Sequence, residues 1–242
     1  VDSNYREYNY EDSFARIDAI LATPSGNFEE TDNLPDRDKL TFTNGFYAYC
    51  TALFIDVRES SELPSFYTRP VLAKIYRAFI SEMVAIFNSD LDAREINIVG
   101  DCVWGVYNTP RKSDIDDVFR LAYTANSLIK ILNYKMRVCG YERELRVGVG
   151  MSVGRALMIK AGYSGSGIQD VVYMGDVVNN AAKLAGRGSN GWDVPPIFVD
   201  DLVYSNLNEH NQGFLRWAGY GPIYSGDIVD AEMEAWYVVH CT

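Results

Sequence analysis

The order of patterned segments predicts an α+β fold of the ferredoxin-like kind, a mostly antiparallel sheet with helices on one face. Three observations carry this. An aromatic-rich strand pattern opens the patterned region near residue 46, two segments with helical spacing flank a tight hairpin, and a strictly alternating strand follows the second helix. A length of 242 residues with 48% apolar residues allows one sizeable core without disulfide staples.

Taken in order, residues 1–40 read as a polar N-terminal extension with one short helical pattern (Phe14, Ile17, Ile20, Leu21), and the domain proper is expected over 41–242. The stretch TPSGNFEETDNLPDRD reads as loop. FYAYCTALFID is nearly continuous in apolar character, as a strand buried on both faces would be, and it ends at Asp56. A helix is expected at about 68–88, where Leu72, Ile75, Phe79, Met83 and Ile86 recur at helical spacing. In EINIVGDCVWGVY, two apolar runs flank Gly100-Asp101 and predict a hairpin. A second helix at about 114–138 opens on Ser113-x-x-Asp116, a capping-box variant. LRVGVGMSVG alternates as a strand; GRALMIKAG and QDVVYMG read as two more, joined by a turn at Ser164–Gly167. A third helix is expected from Asp176 to about residue 186, and the tail holds short strands (IFV, FLRWAG, AWYVV).

Composition excludes several functions. A net charge of −11 argues against a duplex-binding surface and against an anionic membrane as main partner. The apolar runs are strand-length, and the N-terminal stretch has neither a basic nor an apolar signal region, so a cytoplasmic location is expected. The four cysteines show no CxxC spacing and read as free thiols in a reducing compartment. The two histidines, His210 and His240, sit near neither a zinc-ligand cluster nor a nucleophile elbow. GYSGSG lacks the Lys-Ser/Thr and the strand–loop–helix context of a phosphate loop and reads as a hairpin turn.

Two aspartates remain as carriers of chemistry. Asp56 ends the first strand and Asp101 sits in the hairpin turn; in a ferredoxin-like sheet those elements are neighbours, so the carboxylates could meet at one sheet end. Such a pair repels unless it is protonated or bridged by a cation, and oxygen ligands suit Mg²⁺ or Mn²⁺. Taken alone, Asp56 could equally cap the next segment and Asp101 merely make the turn.

LFIDVRESSEL, INIVGDCVWGVY, RVGVGMSVGRA and YMGDVVNNAAKLAG, in that order over about residues 46–190, resemble the class III nucleotidyl cyclase catalytic domain, and within it most the pyrimidine cyclases of bacterial Pycsar antiphage defence. The resemblance implies a homodimer with composite sites at the interface, two Mn²⁺ or Mg²⁺ ions per site, a nucleoside triphosphate substrate, and a separate effector that reads the cyclic product. Matched residue by residue, Asp56 and Asp101 fall on the metal-binding aspartates and Val57 where a backbone carbonyl joins the metal. Asn179 falls on the ribose-orienting asparagine. Lys183 stands where most relatives have a transition-state arginine; it is a point charge without the bidentate fork. Arg58 and Lys160 are further cations that could meet the triphosphate.

The purine-reading positions of the family are occupied by Asn97 and Val172, which match neither the adenine nor the guanine signature. Tyr49, seven residues before Asp56, is expected to narrow the base pocket. Together these favour a pyrimidine, with UTP to cyclic UMP as the leading expectation. A cytidylate cyclase, an adenylyl or guanylyl cyclase, and an inactive nucleotide-binding homologue are the alternatives. A GGDEF-type palm enzyme is disfavoured by the turn sequence IVGDCVW.

Overall fold

A computed structural model describes residues 2–241. The elements run α1 (Tyr10–Leu21), β1 (Phe28–Glu30), β2 (Gly45–Val57), α2 (Leu63–Phe66), α3 (Arg69–Phe87), β3 (Ala93–Val99), β4 (Cys102–Asn108), α4 (Lys112–Val138), β5 (Val147–Tyr163), β6 (Ile168–Met174), α5 (Asp176–Ala185), β7 (Ile197–Asp200), α6 (Asp201–Asn206), α7 (Glu209–Gly213), β8 (Arg216–Trp217), β9 (Ile223–Gly226) and α8 (Ala231–His240). The strands form one mixed, mostly antiparallel sheet in the order β3-β4-β2-β5-β7-β9-β8, with β1 beside β2 and β6 beside β5. The α+β class expected from the pattern is the class observed.

Side chains of β2 alternate between two cores, as the two-residue period of a strand demands. Leu53, Ile55 and Val57 join the larger core under α3 and α4, with Phe79, Met83, Phe87, Phe119 and Leu121. Ala48, Cys50, Ala52 and Phe54 face the other way, into a smaller core with Leu34, Leu40, Val106, Met158, Tyr173 and Ala181. Each fully buried large side chain of the first core stabilises the fold by roughly 1.5–3 kcal/mol relative to exposure.

The helices divide between the two faces. The long α3 and α4 cover one, whereas α5 lies against the other. Two glycines of β5 permit this second contact. A Cβ on Gly148 would lie 2.0 Å from the Ala185 carbonyl oxygen, and one on Gly150 would lie 2.1 Å from that of Ala181. Helix backbone therefore rests directly on strand backbone.

Several elements differ from the pattern reading. LRVGVGMSVG and GRALMIKAG are one 17-residue strand, β5. AWYVV is helical: Asp230 caps α8 by accepting from the Glu232 and Met233 amides, which overrides the β-branched run. The cap of α4 is formed by Arg111 and Asp114, the carboxylate accepting from the Arg111 backbone N–H at 2.9 Å, rather than by Ser113 and Asp116. Residues before 41 are not all peripheral. β1 pairs in parallel with β2, and Leu34 and Leu40 are buried in the smaller core.

Candidate active site

Asp56 and Asp101 reach one end of the sheet because β2 and β4 pair antiparallel with Asp56 opposite Cys102, the residue after the turn aspartate. Gly100, at φ 63°, supplies the left-handed residue of that turn. Burial holds the Asp56 carboxyl above the ordinary carboxylate value; the Arg58 guanidinium opposes this, and the charge of Asp101 adds to it. The Cys102 thiol is pushed up to about 12 by burial and by both carboxylates. Tyr76 of α3, which the sequence did not single out, is also within reach of Asp101: burial and that charge raise its phenol.

Arg58 forms a close ion pair with Asp56 and donates to the Gly186 carbonyl at 3.0 Å, tying the end of β2 to the end of α5. Its Nε is buried and makes no hydrogen bond among the described residues. Val57 is buried with its side chain in the larger core, so only its backbone is available for chemistry.

Asn97 lies on β3 opposite Trp104, which in turn lies opposite Phe54. Phe54 and Trp104 stack with centroids 5.1 Å apart. Asn97 therefore shares the smaller-core face with Asp56. Tyr49 and Val172 do not. Tyr49 is an odd-numbered β2 residue, on the opposite face, in a groove with Thr109, Arg111 and Arg155. Val172 pairs with Ile159 and alternates with the inward-facing Tyr173. Within one chain, the expected grouping of Tyr49 and Val172 with Asn97 is not made, because strand alternation turns both side chains away. The inward neighbours are Ala48 and Cys50 on β2 and Tyr173 on β6.

Asn179 and Lys183 are four residues apart on α5 and both are exposed. Among the described residues neither side chain makes a hydrogen bond or ion pair. The apolar face of α5, with Val177, Ala181, Leu184 and Ala185, is turned to the sheet. Lys160 lines a separate cavity with Arg37 and Asp170. The GYSGSG segment is the tip of the β5–β6 hairpin, as expected, and Arg6 donates to the Gly165 carbonyl at 2.8 Å.

The chain is 43% identical to a uridylate cyclase of Gulbenkiania mobilis over 97% of both sequences. It is 36% identical to a uridylate cyclase of Treponema porcinum over 95% of this chain and 81% of that protein. The chain belongs to the uridylate cyclase family. No protein-family model matches it. Solved structures place the family's fold among class III cyclases. The adenylyl cyclase CyaB from P. aeruginosa superposes with a TM-score of 0.62 at 19% identity, covering 78% of this chain and 97% of that one. The guanylyl cyclase Cya2 superposes at 0.63 with 14% identity, covering 77% and 95%. No helix among the described residues of this uridylate cyclase family member is long and apolar enough to cross a membrane.

Proposed function

We propose that this protein is a divalent-metal-dependent pyrimidine cyclase that converts UTP to 3′,5′-cyclic UMP and pyrophosphate. The observation that carries the proposal is the register of β2 on β4, which puts Asp56 and Asp101 at one sheet end in a chain 43% identical to a uridylate cyclase.

The residues fit a hard cation. Both donors are carboxylates, and the charge of Asp101 makes ionisation of Asp56 harder, a repulsion that a shared cation relieves. No cluster of three or more acidic, thiol or imidazole side chains is available among the described residues. Asp56, Asp101 and the Val57 carbonyl would therefore hold the ions together with substrate phosphates. When bound, two such ions lower the pKa of the ribose 3′-hydroxyl and clamp the leaving pyrophosphate.

The 3′-oxygen attacks the α-phosphorus, the bond from that phosphorus to the bridging oxygen breaks so that pyrophosphate leaves, and the hydroxyl proton passes to solvent water. Lys183 offers a cation where charge grows on the phosphate, a contact worth most in the transition state. Asn179 orients the ribose through its amide. Arg58, paired with Asp56, would offer a further cation to the triphosphate. Asn179 and Lys183 are exposed and make no hydrogen bond or ion pair among the described residues, which supports a homodimer in which they complete the partner's site. The cyclic product would then act as a second messenger in antiviral defence, read by a separate effector in the cytoplasm.

Incubation with Mn²⁺ or Mg²⁺ and each of the four nucleoside triphosphates, followed by product separation, tests the reaction. UTP is expected to be turned over at least ~10-fold better than ATP or GTP, since unpaired buried polar groups cost ~1–3 kcal/mol each. Preference for CTP makes the protein a cytidylate cyclase; no product from any triphosphate makes it an inactive homologue. Mixing inactive Asp56→Ala with inactive Lys183→Ala tests the composite site. Activity should return in the heterodimer, whereas none will return if all four residues act within one chain.

A further inference from the structure

A cavity of about 580 Å³, within the range of small-molecule sites, lies between α4, the start of β5, the 188–196 segment and the stretch joining β9 to α8. None of its lining residues has a task in the proposed reaction. Ile129, Leu145 and Val147 give it an apolar wall, continuous with the larger core. Asn126 also lines it and is only 7% exposed. The Asn126 amide nitrogen donates to Asp227 Oδ1 and to the Ile228 carbonyl, both at 2.9 Å. Both partners are acceptors, which fixes the orientation of the amide. Asn126 Oδ1 is left as an acceptor with no partner among the described residues.

The charges on the lining do not cancel. Lys130 is matched by Glu234 at 2.5 Å, Arg146 by Glu59 at 2.8 Å, and Glu144 by Arg137 at 3.4 Å. Asp227 makes no ion pair among the described residues, and its second carboxylate oxygen accepts nothing there. The rim carries Trp192, which is 99% exposed. Trp192 sits midway along a loop closed at its base, where the Ser189 N–H donates to the Pro195 carbonyl at 3.1 Å. An indole in that position adds nothing to the core, but its face attracts a cation.

We infer that this cavity binds a guanidinium or ammonium group carried on an apolar stem. The Asp227 carboxylate accepts N–H groups from the cation and balances its charge, Asn126 Oδ1 accepts a further one, and the Trp192 ring covers the cation's face. The stem lies along Ile129, Leu145 and Val147. An anion would meet an unmatched carboxylate and an acceptor in place of donors, so the site rejects it. The same chemistry is offered by a free amine and by an Arg or Lys side chain of a protein segment. The cavity adjoins the catalytic end of the sheet. The Arg58 backbone N–H donates to the Arg146 carbonyl at 2.7 Å, and the Pro196 carbonyl accepts from Val149, beside the glycines that seat α5, at 2.8 Å. Occupancy should therefore alter turnover, a consequence that rests on the cyclase reading above.

The test titrates the full chain by calorimetry with agmatine, with the blocked tripeptide acetyl-Ala-Arg-Ala-amide, and with its citrulline counterpart, which keeps the shape without the charge. At least one charged probe should bind, and the citrulline peptide should bind about tenfold more weakly than the arginine peptide or not at all. Tighter binding of agmatine points to a free amine, and tighter binding of the tripeptide to a protein segment. Asp227→Asn keeps the oxygen that Asn126 uses but removes the charge; it should weaken binding about tenfold. Trp192→Ala should weaken it about threefold to tenfold. Both side chains are exposed, so both variants should melt near the wild-type temperature. No heat from either charged probe at about 10 mM, equal binding of the citrulline peptide, or an affinity held within twofold in Asp227→Asn would each overturn the site. Turnover of UTP should change about threefold or more when the site is saturated, and Trp192→Ala, with basal turnover unchanged, should need more ligand for the same response. Unchanged turnover at saturation would overturn the coupling. If the chain cyclises nothing, the cyclase reading fails, and the calorimetry still decides whether the site exists.

Discussion

The two faces of the sheet are built on different rules. Under α3 and α4, large apolar side chains interdigitate: Phe79, Met83 and Phe87 from α3 meet Leu53, Ile55 and Val57 from β2. On the other face β2 presents Ala48, Cys50 and Ala52, small groups that leave room, and the polar atoms gather there. Asp56, Asn97, Glu95 and Tyr173 all belong to that second face, where Glu95 Oε2 and the Tyr173 phenol oxygen are buried without a partner among the described residues. The first face is closed and serves stability. The second carries Asp56 and Asn97 and receives α5, the helix that bears Asn179 and Lys183 on its exposed side.

The sharpest way to break this division is at the carboxylates. Asp56→Ala or Asp101→Ala should reduce cyclisation to below ~10% of wild type, because in the proposed reaction each would remove a ligand from the catalytic ion. Melting temperatures should stay near that of wild type. Activity above that level in either variant removes the metal assignment, and chelation followed by Mn²⁺ should reproduce and then reverse the loss.

The closed face should respond in the opposite currency. Phe79 is fully buried beneath β2. Phe79→Ala should cost ~3–5 kcal/mol of unfolding free energy, measured by denaturant titration. Below the melting transition, per-molecule turnover of the folded fraction should change little. A large loss of turnover in fully folded protein would mean that the two faces are coupled.

The smallest effect expected is that of pH. Burial holds the carboxyls of Asp56, Glu95 and Asp200 above the ordinary carboxylate value. For such a group the folded state binds the proton more tightly than the unfolded state. Ionisation therefore costs stability, and the cost is relieved as pH falls through the raised folded value. The proposed reaction needs Asp56 ionised, so turnover should decline over the same window. Activity falling while the melting temperature holds or rises slightly is the expected pattern, read from parallel pH series. A simultaneous fall in both would show that the carboxylates support the fold instead.

The closed face was the more legible in the sequence. Ile75, Phe79 and Met83 announce α3 by spacing alone, and the same periodicity marks α4. Asp56 and Asp101 were also readable, because a strand end and a Gly-Asp turn place their residues with little freedom. What stayed hidden depends on distant pairing. Leu34 and Leu40 are lone leucines in a Pro- and Asp-rich stretch, and only the finished sheet shows that they fill its smaller core. The directions of Tyr49 and Val172 depend on strand parity set by partners up to a hundred residues away. Tyr173 and Val172 are told apart only by the pairing of β6 with β5, which turns Tyr173 into the smaller core. In α8, a Trp-Tyr-Val-Val run with strong strand propensity is overruled by one aspartate cap.

The direct seating of α5 on β5 has a bearing on how tolerance to substitution should be interpreted. Gly148 and Gly150 have no room for even a methyl group, since carbonyl oxygens of the helix occupy the place of the missing Cβ. In a saturation scan scored by activity, both positions should reject every replacement as strictly as Asp56 or Asp101. Yet neither has a side chain to bind or react with anything. Their role is that of a fixed spacer, setting how far the helix carrying Asn179 and Lys183 stands from the strand. A map of intolerant positions on this protein will therefore outline a patch larger than its chemistry, and the excess measures how much of the site is held in place by backbone alone.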